Sequence, residues 1–276
     1  LFIDAYGLAG ELSSEVPEEQ ITLARPSARA DVAAFLSYAV GCMMGRYSLE
    51  MPGLILANAG DTVAQYLQKV GSSLEQLRFA PDDDGIIPVL DGDWFADDIV
   101  TRTREFLRVT FGEESLSENL RFIEESLGKD LRQYFLTDFY KNHLQTYKRR
   151  PLYWMFCSGK QRAFQCLVYL HRYHEGTLAR LRTEYVIALQ SRVAARIEQV
   201  ESDKAQATST SHRKKLQKEQ DDLKKQQAEL LAFDEKLKHL ADRRIKLDLD
   251  DGVKVNYGKF GDLLAEVKAV TGGSDE

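Results

Sequence analysis

Leu216, Leu223, Leu230 and Leu237 stand at strict intervals of seven, and Lys, Glu, Gln and Asp fill most of the positions between them. A leucine at every seventh residue returns to nearly the same side of a helix, so this stretch is committed to a long helix with one narrow apolar seam. Such a seam is stable only against another helix. Upstream, Leu178, Leu181, Tyr185, Ala188, Val193, Ile197 and Val200 continue a helical stripe, and QATSTS at 206–211 reads as a polar hinge. Two arms of about 30 residues joined by that hinge predict an antiparallel coiled-coil hairpin projecting ~45 Å at 1.5 Å per residue. The alternative is one continuous helix pairing with another chain.

The rest of the 276 residues also reads mainly as helix. One helical turn is expected after Pro17. Ser27 can cap a helix through ARADVAAFLSYAVGCMMGRYSL, where Val32, Phe35, Leu36, Ala39, Val40, Met43 and Met44 recur at three and four, and Gly41 with Gly45 suggests a close helix crossing. Asp61 is expected to cap TVAQYLQKVG, and Ser72 with Glu75 reads as a capping box. PGLILANAG carries a short extended piece, and IIPVL is a strand that Pro88 restricts to an edge. Asp97 and Asp98 open the next helix, and SLSENLRFIEESLG and DLRQYFLTDFYKNHLQTY supply two more. LYWMF reads as a short strand, Ser158 as the start of a helix running to Tyr173, DGVKVNYG as extended, and GDLLAEVKAV as a final helix. The expected fold is mainly α: a multi-helix globular domain over 1–176 with a few short β pieces, a projecting hairpin over 177–247, and a return segment over 248–276 that packs on the globular domain.

Charge is unevenly spread. Residues 1–128 hold 9 bases and 22 acids, 129–183 hold 11 and 3, and 184–276 hold 17 and 18. The middle segment is where a polyanion is most plausibly met. Within it, Lys148, Arg149, Arg150, Lys160, Arg162 and Arg172 are interleaved with Tyr153, Trp154, Phe156, Phe164, Tyr169 and Tyr173. One reading puts these six bases on phosphates, with donors from a helix N-terminus at Ser158–Lys160 and Tyr153 or Trp154 stacked on an exposed base. The other puts the rings in a core and the bases on its wet rim; a mixture of the two fits the stretch best.

Other chemistry is sparse. Cys42, Cys157 and Cys166 form no CxxC pair, which argues against a disulfide framework and for a reducing, cytoplasmic setting. Cys157 at a helix N-terminus among bases would have a lowered thiol pKa, yet no His lies at a catalytic spacing from it. His171 and His174 are three apart beside Glu175, without a clear third metal ligand. The run Asp82, Asp83, Asp84, Asp91, Asp93, Asp97, Asp98 lacks the EF-hand alternation and reads as turns at Asp84-Gly85 and Asp91-Gly92 with an N-cap at Asp97. There is no GxGxxG, GxxxxGK[ST], HExxH or GxSxG. No apolar run approaches the ~20 residues of a membrane helix. The chain opens on Leu1, which suggests a piece of something longer.

Four stretches carry a resemblance: FLSYAVGCMMGRYSLEMPGLILAN (35–58), DDGIIPVLDGDWFADDIVTRTREFLRVTFG (83–112), YKRRPLYWMFCSGKQRAFQCLVYLHRY (147–173) and LDLDDGVKVNYGKFGDLLAEV (247–267). Their order and wording resemble the C-terminal region of the adenine-specific DNA methyltransferases of BREX phage-defence systems, the PglX family. The resemblance implies a parent enzyme that uses S-adenosylmethionine to methylate the N6 of a flipped adenine in double-stranded DNA, with an Asn-Pro-Pro-Tyr motif holding the base. That motif and the cofactor motif are absent here, so the resemblance carries over no catalytic, cofactor or metal residue. It implies a non-catalytic section that contacts DNA or, alternatively, docks other BREX components through the acidic half or the hairpin.

Overall fold

The computed structural model describes residues 2–11, 15 and 26–272; the turn expected after Pro17 lies outside these. A short helix α1 (Phe2–Ala5) is followed by α2 (Ala28–Met43), capped by Ser27, whose Oγ accepts from the Ala30 amide. Among the described residues, the Gly41–Gly45 pair meets side chains rather than the backbone of a crossing helix. A Cβ on Gly41 would strike the Tyr47 ring, and Gly45, at φ +76°, turns the chain beneath Leu56 and Pro81. The PGLILANAG stretch is loop rather than strand. Thr62, not Asp61, caps α3 (Val63–Val70), because the Asp61 carboxylate accepts from the amides of Ala57 and Asn58, both at 2.8 Å. The second capping box likewise sits one residue later than expected, on Ser73 and Gln76.

A three-stranded antiparallel sheet lies at the centre. β1 (Ile86–Pro88), β2 (Tyr153–Cys157) and β3 (Gln165–Tyr169) are ordered β1–β3–β2, so Pro88 sits on an edge where its missing N–H costs no ladder bond. Leu167 on β3 faces Ile87 on one side and Met155 on the other. The expected helix from Ser158 does not form: 158–164 is a hairpin turn, and QCLVY is the fully buried middle strand. A five-residue apolar run is ambiguous between helix and strand, and pairing on both sides decides it.

Helices cover the sheet. Asp98, rather than Asp97, caps α4 (Ile99–Phe111), and α5 (Leu116–Leu127) ends on the left-handed Gly128. Helix α6 (Leu131–Tyr134), a π-helical turn (Phe135–Phe139) and α7 (Tyr140–Thr146) follow without a break. The rings of the basic segment are core: Trp154 is 2% exposed, and Tyr153, Phe156, Phe164 and Tyr169 are buried with it.

Helix α8 (Thr177–Arg180) runs through a second π turn (Leu181–Val186) into α9 (Ile187–Gln206), and after a three-residue break α10 (Thr210–Asp242) returns. Arg182 pairs with Asp234, Gln190 with Leu230 and Arg196 with Glu219, so partner numbers fall as they rise: the two helices are antiparallel. All four heptad leucines are buried, facing Leu189, Val193 and Val200. The base of the hairpin is held by the body through Phe233 against Phe164 and the Tyr173 hydroxyl donating to the Ile245 carbonyl. Arg192 donates to the Trp94 carbonyl and lies over the Phe95 ring. Among the described residues, every hydrogen bond and ion pair made by side chains from 193 to 228 stays inside the hairpin. The free part is therefore about 20–30 Å long, shorter than the ~45 Å expected, because the lower turns are part of the core.

The C-terminal segment departs from expectation in its first part. DGVKVNYG forms α11 (Gly252–Gly258), whereas the expected last helix is broken into a 3-10 turn (Gly261–Leu263) and α12 (Val267–Thr271). Between them Leu264 bridges to Phe156, and the Ala265 amide donates to the Met155 carbonyl at 2.8 Å, closing the free edge of β2. Tyr257 meets the Tyr140 hydroxyl at 2.8 Å and packs edge-on against Trp154.

Candidate nucleic-acid interface

The six bases are not gathered in one patch. Lys148, Arg149 and Arg150 occupy the turn between α7 and β2, while Lys160 and Arg162 lie beyond the far end of β2. Five strand residues separate the two groups by roughly 17 Å. Arg172 belongs to neither. It is 6% exposed, and its guanidinium donates to the carbonyls of Asp82 (2.7 Å) and Asp83 (2.6 Å), so it organises the acidic turn instead of meeting a ligand.

The turn that carries Lys148–Arg150 is held in an unusual shape. Lys148 and Arg149 adopt φ of 50° and 61°, a left-handed conformation uncommon for residues with a Cβ. The Arg149 amide reaches back to the Leu144 carbonyl at 2.7 Å, closing the C-terminus of α7. His143 fixes the exit from the turn, since its Nε2 accepts from the amides of Leu152 (3.0 Å) and Tyr153 (3.2 Å). That geometry requires a neutral ring protonated on Nδ1, and burial, with Arg46 adding to it, pushes the imidazole pKa down to about 3. Nothing in the sequence flagged His143, because its partners are backbone amides that only the folded chain supplies.

The three bases are exposed, and no described carboxylate pairs with them. They line a groove of about 800 Å³ together with Leu152, Trp154, His171, and Lys254 and Val255 of α11. Among the described residues, Asp251 is the one carboxylate in the lining, and it is paired with Lys259 at 3.4 Å. Neither Trp154 nor Tyr153 is available for stacking on a base, because both are buried.

At the other end of β2, the amides expected to form a helix N-terminus for phosphate are already occupied. The Glu229 carboxylate from α10 accepts from the Ser158 hydroxyl (2.6 Å) and from the amides of Gln161 (2.8 Å) and Ala163 (3.1 Å). Lys160 and Arg162 project from this filled cradle, Arg162 donating to the Leu136 carbonyl at 2.9 Å. Cys157 is not activated: burial pushes its thiol up, not down. The His174 Nδ1 accepts from the Gly176 amide, and among the described residues no group of three or more His, Cys, Asp or Glu is placed to hold a metal.

The acid-rich run has turn and capping roles. Asp82 accepts from the amides of Asp84, Gly85 and Ile86, and the buried Asp98 caps α4 while pairing with Arg132 at 3.1 Å. Asp84 and Asp97 both meet the Tyr185 hydroxyl, at 3.1 and 2.9 Å. A hydroxyl has one proton to give, so a carboxyl proton is needed for both contacts to be hydrogen bonds. Asp84 is the better holder: burial, with Asp82 beside it, pushes its pKa up to about 8.

Among the described residues, no helix is long and apolar enough to cross a membrane. No protein-family model matches the sequence. The chain is 47% identical, over 89% of its length, to the adenine-specific methyltransferase BrxX of Escherichia coli O9:H4 (strain HS). It is 40% identical, over 98% of its length, to the adenine-specific methyltransferase PglX of Lacticaseibacillus casei (strain Zhang). It spans about a fifth of the length of these curated relatives, 21% and 22%. The likeness read from its wording is thus matched across nearly the whole chain, which is similar to one section of the adenine-specific methyltransferases of BREX systems.

Proposed function

We propose that this chain is a non-catalytic section of an adenine-specific DNA methyltransferase and that it holds the duplex by its backbone. The observation that carries this reading is the unpaired triad Lys148–Arg150 on a rigid turn beside an open groove. Free cations on a fixed support neutralise phosphates and release counterions without reading sequence. Methyl transfer belongs to the remainder of the enzyme, where S-adenosylmethionine supplies the methyl group. The groove here does not fit that cofactor, since its sulfonium and ammonium would face Lys148, Arg149, Arg150 and Lys254; no step is assigned to it. The test is K148Q/R149Q/R150Q in the full-length methyltransferase, with duplex affinity measured from low to moderate salt. Affinity should fall and the log–log salt slope flatten by about 2–3. An unchanged affinity and slope would refute the reading.

A second reading, docking of another component of the defence system, draws on a different surface. Phe111 and Phe122, 47% and 56% exposed, border a cleft of about 520 Å³ with Val32, Phe35 and Leu107 in the acidic half of the chain. F111S/F122S in the same enzyme would lose a pulled-down partner while keeping duplex affinity; if neither changes, this surface has no docking role.

A further inference from the structure

The arm that plugs the 158–163 turn with Glu229 carries a second row of cations. Lys214, Lys218, Lys225 and Glu229 follow one another at four, seven and four, the spacing of one helix face, on the flank away from the buried Leu216 and Leu223. The row starts at the foot of α10, where Glu229 touches the turn bearing Lys160 and Arg162, and ends 15 residues away, about 22 Å along the axis. Along the row the charges mix, five bases (Lys214, Lys215, Lys218, Lys224, Lys225) with four acids (Glu219, Asp221, Asp222, Glu229), but toward the tip they are one-sided. From Lys204 to Lys218 there are five bases and no Asp or Glu. Lys204 is used by Gln217 and Gln220, and Arg213 by the Ala207 carbonyl. Lys214, Lys215 and Lys218 are exposed, and no described carboxylate lies within ion-pair distance of them, although Glu219 and Asp222 stand one turn on from Lys215 and Lys218.

Two of the acids nearest the row are ion-paired, and a third, Asp221, keeps its charge. Asp222 pairs with Lys225 at 3.1 Å, Glu219 with Arg196 at 2.6 Å, and Asp221 accepts from Gln217. Glu198 and Glu201 stand on the other arm, α9. The tip adds four consecutive hydroxyl residues, Thr208 to Ser211, all exposed. Exposed lysines beside a hydroxyl-rich tip, on a straight support, are the chemistry that meets a phosphodiester backbone. A folded acidic protein would more often be met with Arg and aromatic anchors, which this face lacks.

We infer that the tip-ward part of this face, from Lys218 to the 208–211 hydroxyl residues, is a second phosphate-contacting surface. The inference rests on the DNA-holding reading above and extends it from the body to the projecting arm. The experiment compares K214Q/K215Q/K218Q with K148Q/R149Q/R150Q in the full-length methyltransferase, on duplexes with and without the target site, across a salt series. The hairpin variant should flatten the salt slope by about 2–3 and weaken both duplexes alike. K214R/K215R/K218R, which keeps the charge, should restore both. If the hairpin variant leaves slope and affinity unchanged while the turn variant lowers them, the hairpin assignment fails and the DNA-holding reading stands. If neither variant changes them, both fail. Lost capture of an acidic protein with unchanged duplex binding also overturns the hairpin assignment.

Discussion

Arg172 and Arg149 are the same residue type in one 26-residue stretch, and their surroundings give them opposite work. Arg149 stands in solvent without a described acid partner; Arg172 is enclosed and bridges two carbonyls. R172M should therefore leave duplex affinity of the folded enzyme intact while lowering stability. Two carbonyls lose their donor and Asp82 loses a buried cation, a cost of about 3 kcal/mol. Chemical denaturation of variant and parent checks this. R172K should recover little, because one ammonium does not reproduce the two-pronged fork. Sequence alone could not separate the two arginines. It placed both in a basic-aromatic run, and only the packing of Gly85 against the Arg172 side chain, with a Cβ position 3.3 Å away, shows which one is enclosed.

Among the elements, periodicity was legible and pairing was not. The heptad leucines, the Ser27 cap and the edge position of Pro88 were readable because each depends on residues close in sequence. QCLVY was misread as helix because its strand partners are supplied by residues far along the chain, at 86–88, as well as by the adjacent hairpin. GVKVNYG was misread as extended because its alternation is overridden by the packing of Tyr257 on Trp154. The candidate site was legible as charge but not as geometry: the bases stood out, while their split to two ends of β2 and the filling of the Ser158 turn by Glu229 required the fold.

The Tyr185 junction, which ties the root of the hairpin to the acidic turn and to the start of α4, yields a pH prediction. Asp84 in the folded chain has its pKa raised from 3.8 to about 8. The folded state therefore binds a proton that the unfolded chain releases between those values. Stability from this group is full below about pH 4, declines as pH rises through the window, and is gone above about 8. Arg180 (3.2 Å from Asp84), Arg172, Arg102 and the acids Asp82, Asp83, Asp97 and Glu184 surround the junction and set the size of the effect. D84N should remove this decline, so that thermal melts from pH 5 to 9 show a flatter profile than the parent. A parent profile with no decline across that range would refute the assigned proton.

For the molecule as a whole, the consequence lies in the regular pairing of α9 with α10. Because α9 and α10 run antiparallel and the free part makes no described polar contact with the body, the hairpin is suited to act as a ruler. Excising 197–203 together with 217–223 removes one heptad from each arm and keeps the seam in phase. The melting temperature of the body should hold within a few degrees, and the distance between spin labels at 160 and 209 should shorten by about 10 Å. A collapse of the melting transition would show that the arm is not modular. If the ruler holds, reach is a quantity the chain can change in whole-heptad increments without renegotiating any contact at its root. Point substitution in a core has no such option, since each altered side chain must be answered by its neighbours.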